Sequence, residues 1–317
     1  MTTRTPNAPK PQSLKALLVL VLFGLFPMKG SAQSAVPDVV DVAWLAEHVD
    51  DSNVVLLHLG GRDDYTAAHI PGARLVAQQD VAAPHDMSAP DHEAQLALEL
   101  PDPAVARERL QNLGISDDSH VVVYWGTDWM SPSTRVVFTL DWLGLGDRVS
   151  LLDGGMPAWT AAGHATTDAP TPAATPGRIS ARPVRPDVVV DAAWVQAHAG
   201  HDGFAVIDAR DRVFWDGTEP GNDAGVRGHV PHAVSIPFTS LTNDDGIVRS
   251  RDELTRLFRD AAIEEGDVIA VYCHIGQQGT AIVFAARLAG HDVKLYDGSF
   301  QDWSRRGLPV ELPDAAR

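Results

Sequence analysis

The sequence predicts an α/β fold with two related domains, each a parallel β-sheet flanked by helices. Apolar, β-branched segments alternate with helical segments, which is the pattern of parallel strands joined by crossover helices. The pattern then starts again: H-I-P-G-A at residues 69–73 returns as H-V-P-H-A at residues 229–233, and L-D-G-G at residues 152–155 returns as Y-D-G-S at residues 296–299. The length of 317 residues is that of about two domains. We therefore expect a duplicated domain.

The first 32 residues have the features of a targeting segment. Basic residues at Arg4, Lys10 and Lys15 flank the start of an apolar run over residues 16–26, and small residues follow at 30–32. The run is shorter than the roughly 20 residues that span a bilayer. We expect residues 1–32 to be a cleaved signal peptide, which gives a periplasmic or secreted protein without stable membrane association. Retention of this segment as an anchor is the alternative.

Residues 36–165 form the predicted first domain. Apolar runs at residues 54–59, 121–125 and 149–152 are typical of buried strands, and residues 104–113 and 135–143 have helical periodicity. A proline-rich stretch at residues 166–187 follows, and its composition predicts a semi-extended linker between domains. The predicted second domain occupies residues 188–313.

The second domain contains the segment with the clearest chemistry. A strand pattern at residues 268–272 leads into Cys273, a loop with Gly276 and Gly279, and a helical stretch over residues 281–288. A loop that enters a helix presents free backbone N–H groups and the positive end of the helix dipole, and both bind anions. A cysteine in such a loop is favoured as the nucleophilic thiolate. The alternative is a small buried apolar side chain.

Cys273 is the only cysteine in the chain. It cannot form an internal disulfide, and an unpaired thiol in an oxidising compartment is prone to oxidation. A single cysteine in a secreted protein therefore favours a chemical role over a packing role. V-Y-W at residues 123–125 matches V-Y-C at residues 271–273, so Trp125 stands where the second domain has Cys273. The first domain is expected to lack the nucleophile.

These motifs resemble those of the rhodaneses, sulfurtransferases that carry sulfur as a cysteine persulfide. The loop C-H-I-G-Q-Q at residues 273–278 is similar to the family's C-R-x-G-x-[R/T] loop and to a bacterial variant of it. Three other stretches resemble further motifs of the family: D-A-R at residues 208–210, G-H-V-P at residues 228–231, and the stretch from Y-D-G-S to the tryptophan at residues 296–303. The repeat resembles the tandem rhodaneses, whose inactive first domain helps to wall the active site.

The resemblance implies that Cys273 is the catalytic nucleophile and that its loop binds the substrate. The candidate substrate-binding residues are His274, Ile275, Gly276, Gln277, Gln278, Gly279, Asp208, Arg212 and Arg227. Phe214 stands where the family commonly has an anion-binding arginine, so Arg212 or Arg227 is expected to replace it. Asp208 either orients donors of the loop or caps a turn. The sequence has no metal-ligand spacing, so neither a metal nor another cofactor is expected.

The net charge of the chain limits the classes of partner that it is expected to bind. The formal net charge is −17, and residues 1–32 contain basic but no acidic residues, so the mature chain is expected to be more acidic still. This charge disfavours nucleic acid and anionic membrane surfaces as partners. The expected partners are a small anionic sulfur donor and a thiophilic acceptor, such as cyanide, a small thiol or a protein thiol.

We expect a thiosulfate sulfurtransferase that works through a Cys273 persulfide. A 3-mercaptopyruvate sulfurtransferase is the first alternative, although family members with that donor typically have a hydroxyl residue early in the loop and an arginine at the position of Phe214. A non-catalytic persulfide carrier for a partner protein is the second alternative. A phosphatase is disfavoured, because its C-x5-R loop needs an arginine where this chain has Gly279.

Overall fold

Two five-stranded parallel sheets form the framework of the protein, as the sequence predicts. The computed structural model describes residues 1–2, 36–85, 88, 95–127, 129–221 and 225–313. The predicted signal peptide, residues 1–32, lies outside the described residues except for its first two. None of the described helices is long and apolar enough to cross a membrane.

The first sheet contains five strands. They are β1 (Val39–Val40), β2 (Val54–Leu59), β3 (Arg74–Val76), β4 (His120–Trp125) and β5 (Val149–Leu152). Their order across the sheet is β1-β5-β4-β2-β3, and all neighbours are parallel. The central strand β4 is buried along its whole length, which explains why its sequence is a nearly continuous apolar run.

The second sheet repeats this topology. Its strands are β6 (Val189–Val190), β7 (Phe204–Asp208), β8 (Val234–Ser235), β9 (Val268–Tyr272) and β10 (Asp292–Tyr296). Their order is β6-β10-β9-β7-β8, again with parallel neighbours. The central strand β9 thus corresponds to β4, and the residue after β9 lies at the carboxyl edge of the sheet, where sites in open α/β folds gather.

Ten α-helices lie between or after the strands within the described residues. They are α1 (Val42–His48), α2 (Arg62–Ala67), α3 (Pro103–Asn112), α4 (Met130–Leu140), α5 (Gly155–Ala161), α6 (Ala192–His198), α7 (Arg212–Trp215), α8 (Arg251–Asp260), α9 (Gln278–Ala289) and α10 (Ser299–Arg305). The strands predicted at residues 54–59, 121–125, 149–152 and 268–272 agree with β2, β4, β5 and β9 to within one residue.

The start of α4 differs from the prediction. The sequence predicted a helix over residues 135–143, whereas α4 begins at Met130, and a π-helical turn over Asp141–Leu145 follows it. Pro132 lies in the first turn of α4, where helix N–H groups have no intrahelical partner, so the proline does not interrupt the helix. This earlier start brings the first turns of α4 close to the other domain.

The two domains pack against each other through α4 and α9, within one compact unit of residues 35–317. Matching aspartates connect them on opposite sides. Asp153 of the first domain accepts a hydrogen bond from the backbone N–H of Val248 (2.9 Å), and Asp297 of the second accepts one from Leu100 (2.8 Å). Each carboxylate follows the last strand of its sheet, so the interface has an approximate two-fold relation.

The segment predicted as a linker, residues 166–187, runs along the first domain. Thr167 forms an antiparallel bridge with His69, and the backbone N–H of Gly177 donates to Gln111 (2.8 Å). The matching bridge in the second domain joins His229 to Glu311 near the end of the described chain. The chain after each domain is therefore held against that domain in the same way.

Candidate active site

Cys273 follows β9 directly and is fully buried. Its backbone N–H donates to the Ser299 hydroxyl (3.1 Å), which in turn donates to the carbonyl of Tyr296 (2.9 Å). Its carbonyl accepts from the backbone N–H of Phe300 (3.0 Å). Ser299 has a left-handed φ of +54°, an uncommon conformation for a non-glycine residue, and this places its hydroxyl beneath the cysteine. The backbone of Cys273 is thus held on both sides by the turn after β10.

The loop after Cys273 turns at Gly276. Gly276 has a φ of +83°, and a Cβ added there would lie 2.6 Å from the carbonyl oxygen of Asp297, so only glycine fits. Within the described part of the chain, the backbone N–H groups of residues 274–277 donate to no protein acceptor. Consecutive unpaired N–H groups in a loop are the donors that an anion-binding site needs.

Helix α9 begins at the end of this loop, with Gln278 and Gly279 in its first turn. Its twelve residues are mostly buried, and Gly290 ends it in a left-handed conformation. The hydroxyl and the backbone N–H of Thr280 both donate to the carbonyl of Gln277 (2.6 and 3.0 Å), which fixes the N-terminus of α9 at the end of the loop. The positive end of the helix dipole therefore adds to the loop amides.

Arg135 of the first domain reaches this loop, which the sequence analysis did not foresee. Its guanidinium is fully buried and donates to the carbonyls of Gly276 (3.2 Å) and Leu98 and to the carboxylate of Asp297 (2.5 Å). The sequence placed Arg135 on a helix but carried no signal for a partner 162 positions away. The one available hint was an arginine beside the apolar residues V-V-F at 136–138.

Asp208 ends β7 and lies beneath the loop rather than in it. Its carboxylate accepts from the backbone N–H of Arg210 (3.0 Å), from the Arg210 guanidinium (2.5 Å) and from the Tyr272 hydroxyl (2.6 Å). All three side chains are fully buried. Of the two roles considered for Asp208, the structure places it at the turn cap, and it connects β7 to the residue before Cys273.

His274 packs against Phe214. Each of the two residues stands where the family pattern commonly has an arginine. Their rings meet edge to face at 4.6 Å, and Nδ1 of His274 donates to the carbonyl of Gly221 (3.1 Å). Burial, and next the charge of Arg210, lower the pKa of His274. The imidazole is therefore neutral at pH 7, and its role in the structure is packing and a loop hydrogen bond.

Arg212 and Arg227 are both exposed at the surface around α7. The guanidinium of Arg212 lies 5.0 Å from the ring centroid of Trp215, and Arg227 donates to the carbonyls of Gly217 (2.8 Å) and Thr218 (2.5 Å). In the described part of the chain, neither arginine is hydrogen-bonded to the Cys273 loop. Their contacts hold them beside the segment that carries Gly221, the partner of His274.

A cleft of about 530 Å³ lies between the loop and the first domain. Gln277 of the loop forms one wall, and the ends of the first-domain strands form the others; the remaining lining residues are Leu59, Gly60, Gly61, Arg62, Leu75, Ala77, Gln78, Gln79 and Pro132. Arg62 is the cation among them. At Gly61 no atom lies within 4 Å of the position of an added Cβ, so the absence of a side chain there leaves room for a small ligand.

The matching position in the first domain is filled by Trp125. Its indole lies over Gly155, where an added Cβ would be 2.6 Å from the ring. Gly155 has a φ of +55°, nearly that of Ser299, so the turn is preserved while the hydroxyl and the thiol are both replaced. Trp129 packs edge to face on Phe238 of the second domain (4.7 Å). Trp125 thus packs in the core of the first domain, and Trp129 packs at the interface.

Comparison with known proteins identifies relatives over most of the chain. The family model of the rhodanese-like domain matches residues 41–162 and 191–306. The thiosulfate sulfurtransferase of Rattus norvegicus is 32% identical over 255 residues, covering 78% of this chain and 81% of that protein. The 3-mercaptopyruvate sulfurtransferase of Escherichia coli (strain K12) is 29% identical over 285 residues, covering 86% and 97%.

Solved structures show the same fold. The anaerobic ergothioneine biosynthesis enzyme from Chlorobium limicola superposes with a TM-score of 0.75 over 87% of this chain and 70% of that chain, at 23% sequence identity. The wild-type structure of EanB gives a TM-score of 0.75 over 87% and 69%. At this level of identity the likeness is one of fold.

Proposed function

The chain belongs to the rhodanese-like domain family, and we propose that it is a sulfurtransferase that moves sulfur from thiosulfate to a thiophilic acceptor through a persulfide on Cys273. Relatives named as sulfurtransferases over most of the chain support the activity class. The observation that carries the proposal is the loop itself: a single buried cysteine, preceded by a central strand and followed by unpaired backbone N–H groups and a helix N-terminus.

In the first half-reaction, the Cys273 thiolate attacks the outer sulfur of thiosulfate. A sulfur–sulfur bond to Cys273 forms, the bond between the outer sulfur and the sulfonate sulfur breaks, and sulfite leaves with that electron pair. The N–H groups of residues 274–279 stabilise the thiolate before the step and the terminal persulfide anion after it. Full burial of Cys273 favours a small donor and protects the persulfide from bulk water.

In the second half-reaction, an acceptor attacks the outer sulfur of the persulfide. With cyanide, a carbon–sulfur bond forms, the persulfide bond breaks, and thiocyanate leaves while Cys273 returns to the thiolate. This is covalent catalysis in two displacement steps that use one anion-binding loop. The cleft beside Gln277 adjoins the loop and has room for a small donor or acceptor.

We prefer thiosulfate to 3-mercaptopyruvate as donor. A keto acid carboxylate needs a guanidinium clamp, and Phe214, which stands at the usual clamp position, is packed on His274 instead. Thiosulfate is a compact dianion for which loop amides and exposed cations such as Arg212 and Arg227 suffice. The test is kcat/KM for both donors with cyanide as acceptor; a mercaptopyruvate value tenfold above that of thiosulfate would reverse the preference.

The persulfide is tested directly by intact mass. Treatment of the purified protein with thiosulfate should add one sulfur atom, and cyanide should remove it. Cys273→Ser should gain none and should not turn over; full activity in this variant would refute the mechanism. A carrier that serves only a partner protein would load sulfur but would not turn over thiosulfate and cyanide alone, which separates it from the enzyme.

The proposed location is periplasmic or secreted. It rests on the basic and apolar pattern of residues 1–32 and on the retention of one unpaired cysteine. Expression of the full chain in a bacterial host, followed by fractionation and mass analysis of the N-terminus, tests it. A cytosolic protein that keeps Met1 would contradict the proposal.

A further inference from the structure

We propose that Arg135, which belongs to the domain without a nucleophile, is a positioning residue for the sulfur-binding loop: it holds the Gly276–Gln277 peptide so that the N–H of Gln277 faces the sulfur. This inference rests on the proposed persulfide chemistry of Cys273 and assigns the first domain a direct part in it.

The geometry of one peptide carries the argument. In a trans peptide the C=O and the N–H point in opposite directions. Arg135 binds the carbonyl of Gly276 (3.2 Å) from the side of the first domain, so the N–H of Gln277 is directed away from Arg135. Within the described residues this N–H has no protein acceptor. The contact therefore selects which face of the peptide the loop presents to an anion.

The guanidinium is itself firmly held. Asp297 accepts from Arg135 with one carboxylate oxygen and from the N–H of Leu100 with the other (2.8 Å), and the carbonyl of Leu98 takes a further guanidinium N–H. Arg135 has no exposed surface, so rotation toward solvent is not available to it. Helix α4 and the segment of Leu98 and Leu100 thus both help to hold the carbonyl of Gly276, through the guanidinium of Arg135. Burial of this charge costs desolvation energy.

The pseudo-symmetry of the molecule shows that this contact is not required by the fold. The left-handed end glycines, Gly144 and Gly290, and the mutual contact of Thr134 with Thr280 align α4 with α9, and Ala281 is then the counterpart of Arg135. Asp153, the counterpart of Asp297, accepts from a backbone N–H across the interface in the same way, yet no arginine binds it in the described chain. The arginine occurs only on the side of the interface that carries Cys273.

The test compares Arg135→Lys with a matched control, Arg287→Lys. An ammonium group cannot reach all three acceptors of Arg135. Arg287 lies at the other end of α9 and pairs across the interface with Asp141 (2.7 Å), far along the helix from the loop. Sulfur loading from thiosulfate is followed by rapid quenching and intact mass, and kcat and KM are measured with cyanide.

We expect Arg135→Lys to load sulfur on the order of 10²-fold more slowly, as when an oxyanion-hole donor is lost, with KM for thiosulfate changed by less than about threefold. Arg287→Lys should load at the wild-type rate although it too weakens the interface. A merely structural role would lower the melting temperature of both variants and leave kcat of the folded fraction unchanged.

If Arg135→Lys does not fold, the double variant Arg135→Met with Asp297→Asn removes both charges together, a change that buried pairs often tolerate. It should show the same loss of kcat. Wild-type loading rates in a folded Arg135 variant, or a loss confined to KM, would overturn the inference. Absence of sulfur uptake by the wild-type protein would instead overturn the proposed function, and the inference with it.

Discussion

Substitution of Gly276 by alanine should lower the free energy of unfolding by more than the usual replacement of a glycine in a left-handed conformation, and it should also lower activity. The left-handed backbone at φ +83° costs an alanine about 1 kcal/mol. The new Cβ would lie 2.6 Å from the carbonyl oxygen of Asp297 and 2.9 Å from its carboxylate. Asp297 cannot retreat easily, because Arg135 and Leu100 both hold it. The loop must therefore move.

The expected loss of stability is the sum of the backbone cost and the cost of the contact with Asp297. Overpacking of a well-packed site adds about 1–3 kcal/mol to the backbone cost, so Gly276→Ala should lower the free energy of unfolding by about 2–4 kcal/mol. Displacement of the Gly276–Gln277 peptide should lower kcat/KM for thiosulfate by about 10²-fold, the scale of a lost anion-binding donor.

The matched control is Gly72→Ala. Gly72 has nearly the same backbone, with φ +82°, but no atom lies within 4 Å of an added Cβ. It should lose only about 1 kcal/mol of stability and no activity. Urea unfolding and thiosulfate–cyanide kinetics on both variants are the measurements. Equal stability losses, or a Gly276→Ala enzyme with wild-type kcat/KM, would refute the reasoning.

Two further predictions concern stability. Burial lowers the pKa of His58 and of His120 from 6.5 to about 4. The unfolded chain therefore binds more protons than the folded chain between these values, and the free energy of unfolding falls as pH falls from about 6.5 to 4. At pH 5 the loss is about 2 kcal/mol for each histidine. Urea unfolding at pH 7 and pH 5 checks this, and a His58→Leu/His120→Leu variant that is as acid-sensitive as wild type would contradict it. Tyr272→Phe should cost about 3 kcal/mol, because it leaves Asp208 and the N–H of Val230 short of a partner, whereas Tyr124→Phe, which frees only the N–H of Ile70, should cost about 1 kcal/mol. Similar losses in the two tyrosine variants would show that the Asp208 contact contributes little.

The local pattern of apolar and polar residues was enough to predict the two-sheet framework of this protein. The alternation of apolar runs and helices, and its return after residue 188, predicted two parallel sheets because strand and helix periodicities are properties of neighbouring residues. The position of Cys273 between a strand and a helix was predicted for the same reason. Gly276 was placed in a loop, although the atoms that exclude a side chain there belong to Asp297, which only the fold brings near.

The partners of the charged residues were decided by tertiary structure. The sequence placed Arg135 in a predicted helix and no more, and its contacts with Gly276 and Asp297 join segments more than 140 positions apart. Asp208 was equally compatible with two roles until Arg210 and Tyr272 were seen to occupy its oxygens. A guanidinium or carboxylate forms its contacts through space with groups from any part of the chain, and spacing along the sequence does not encode them. The sequence by itself therefore determined where Cys273 and its loop lie, and the packing of two domains decided what holds that loop in shape.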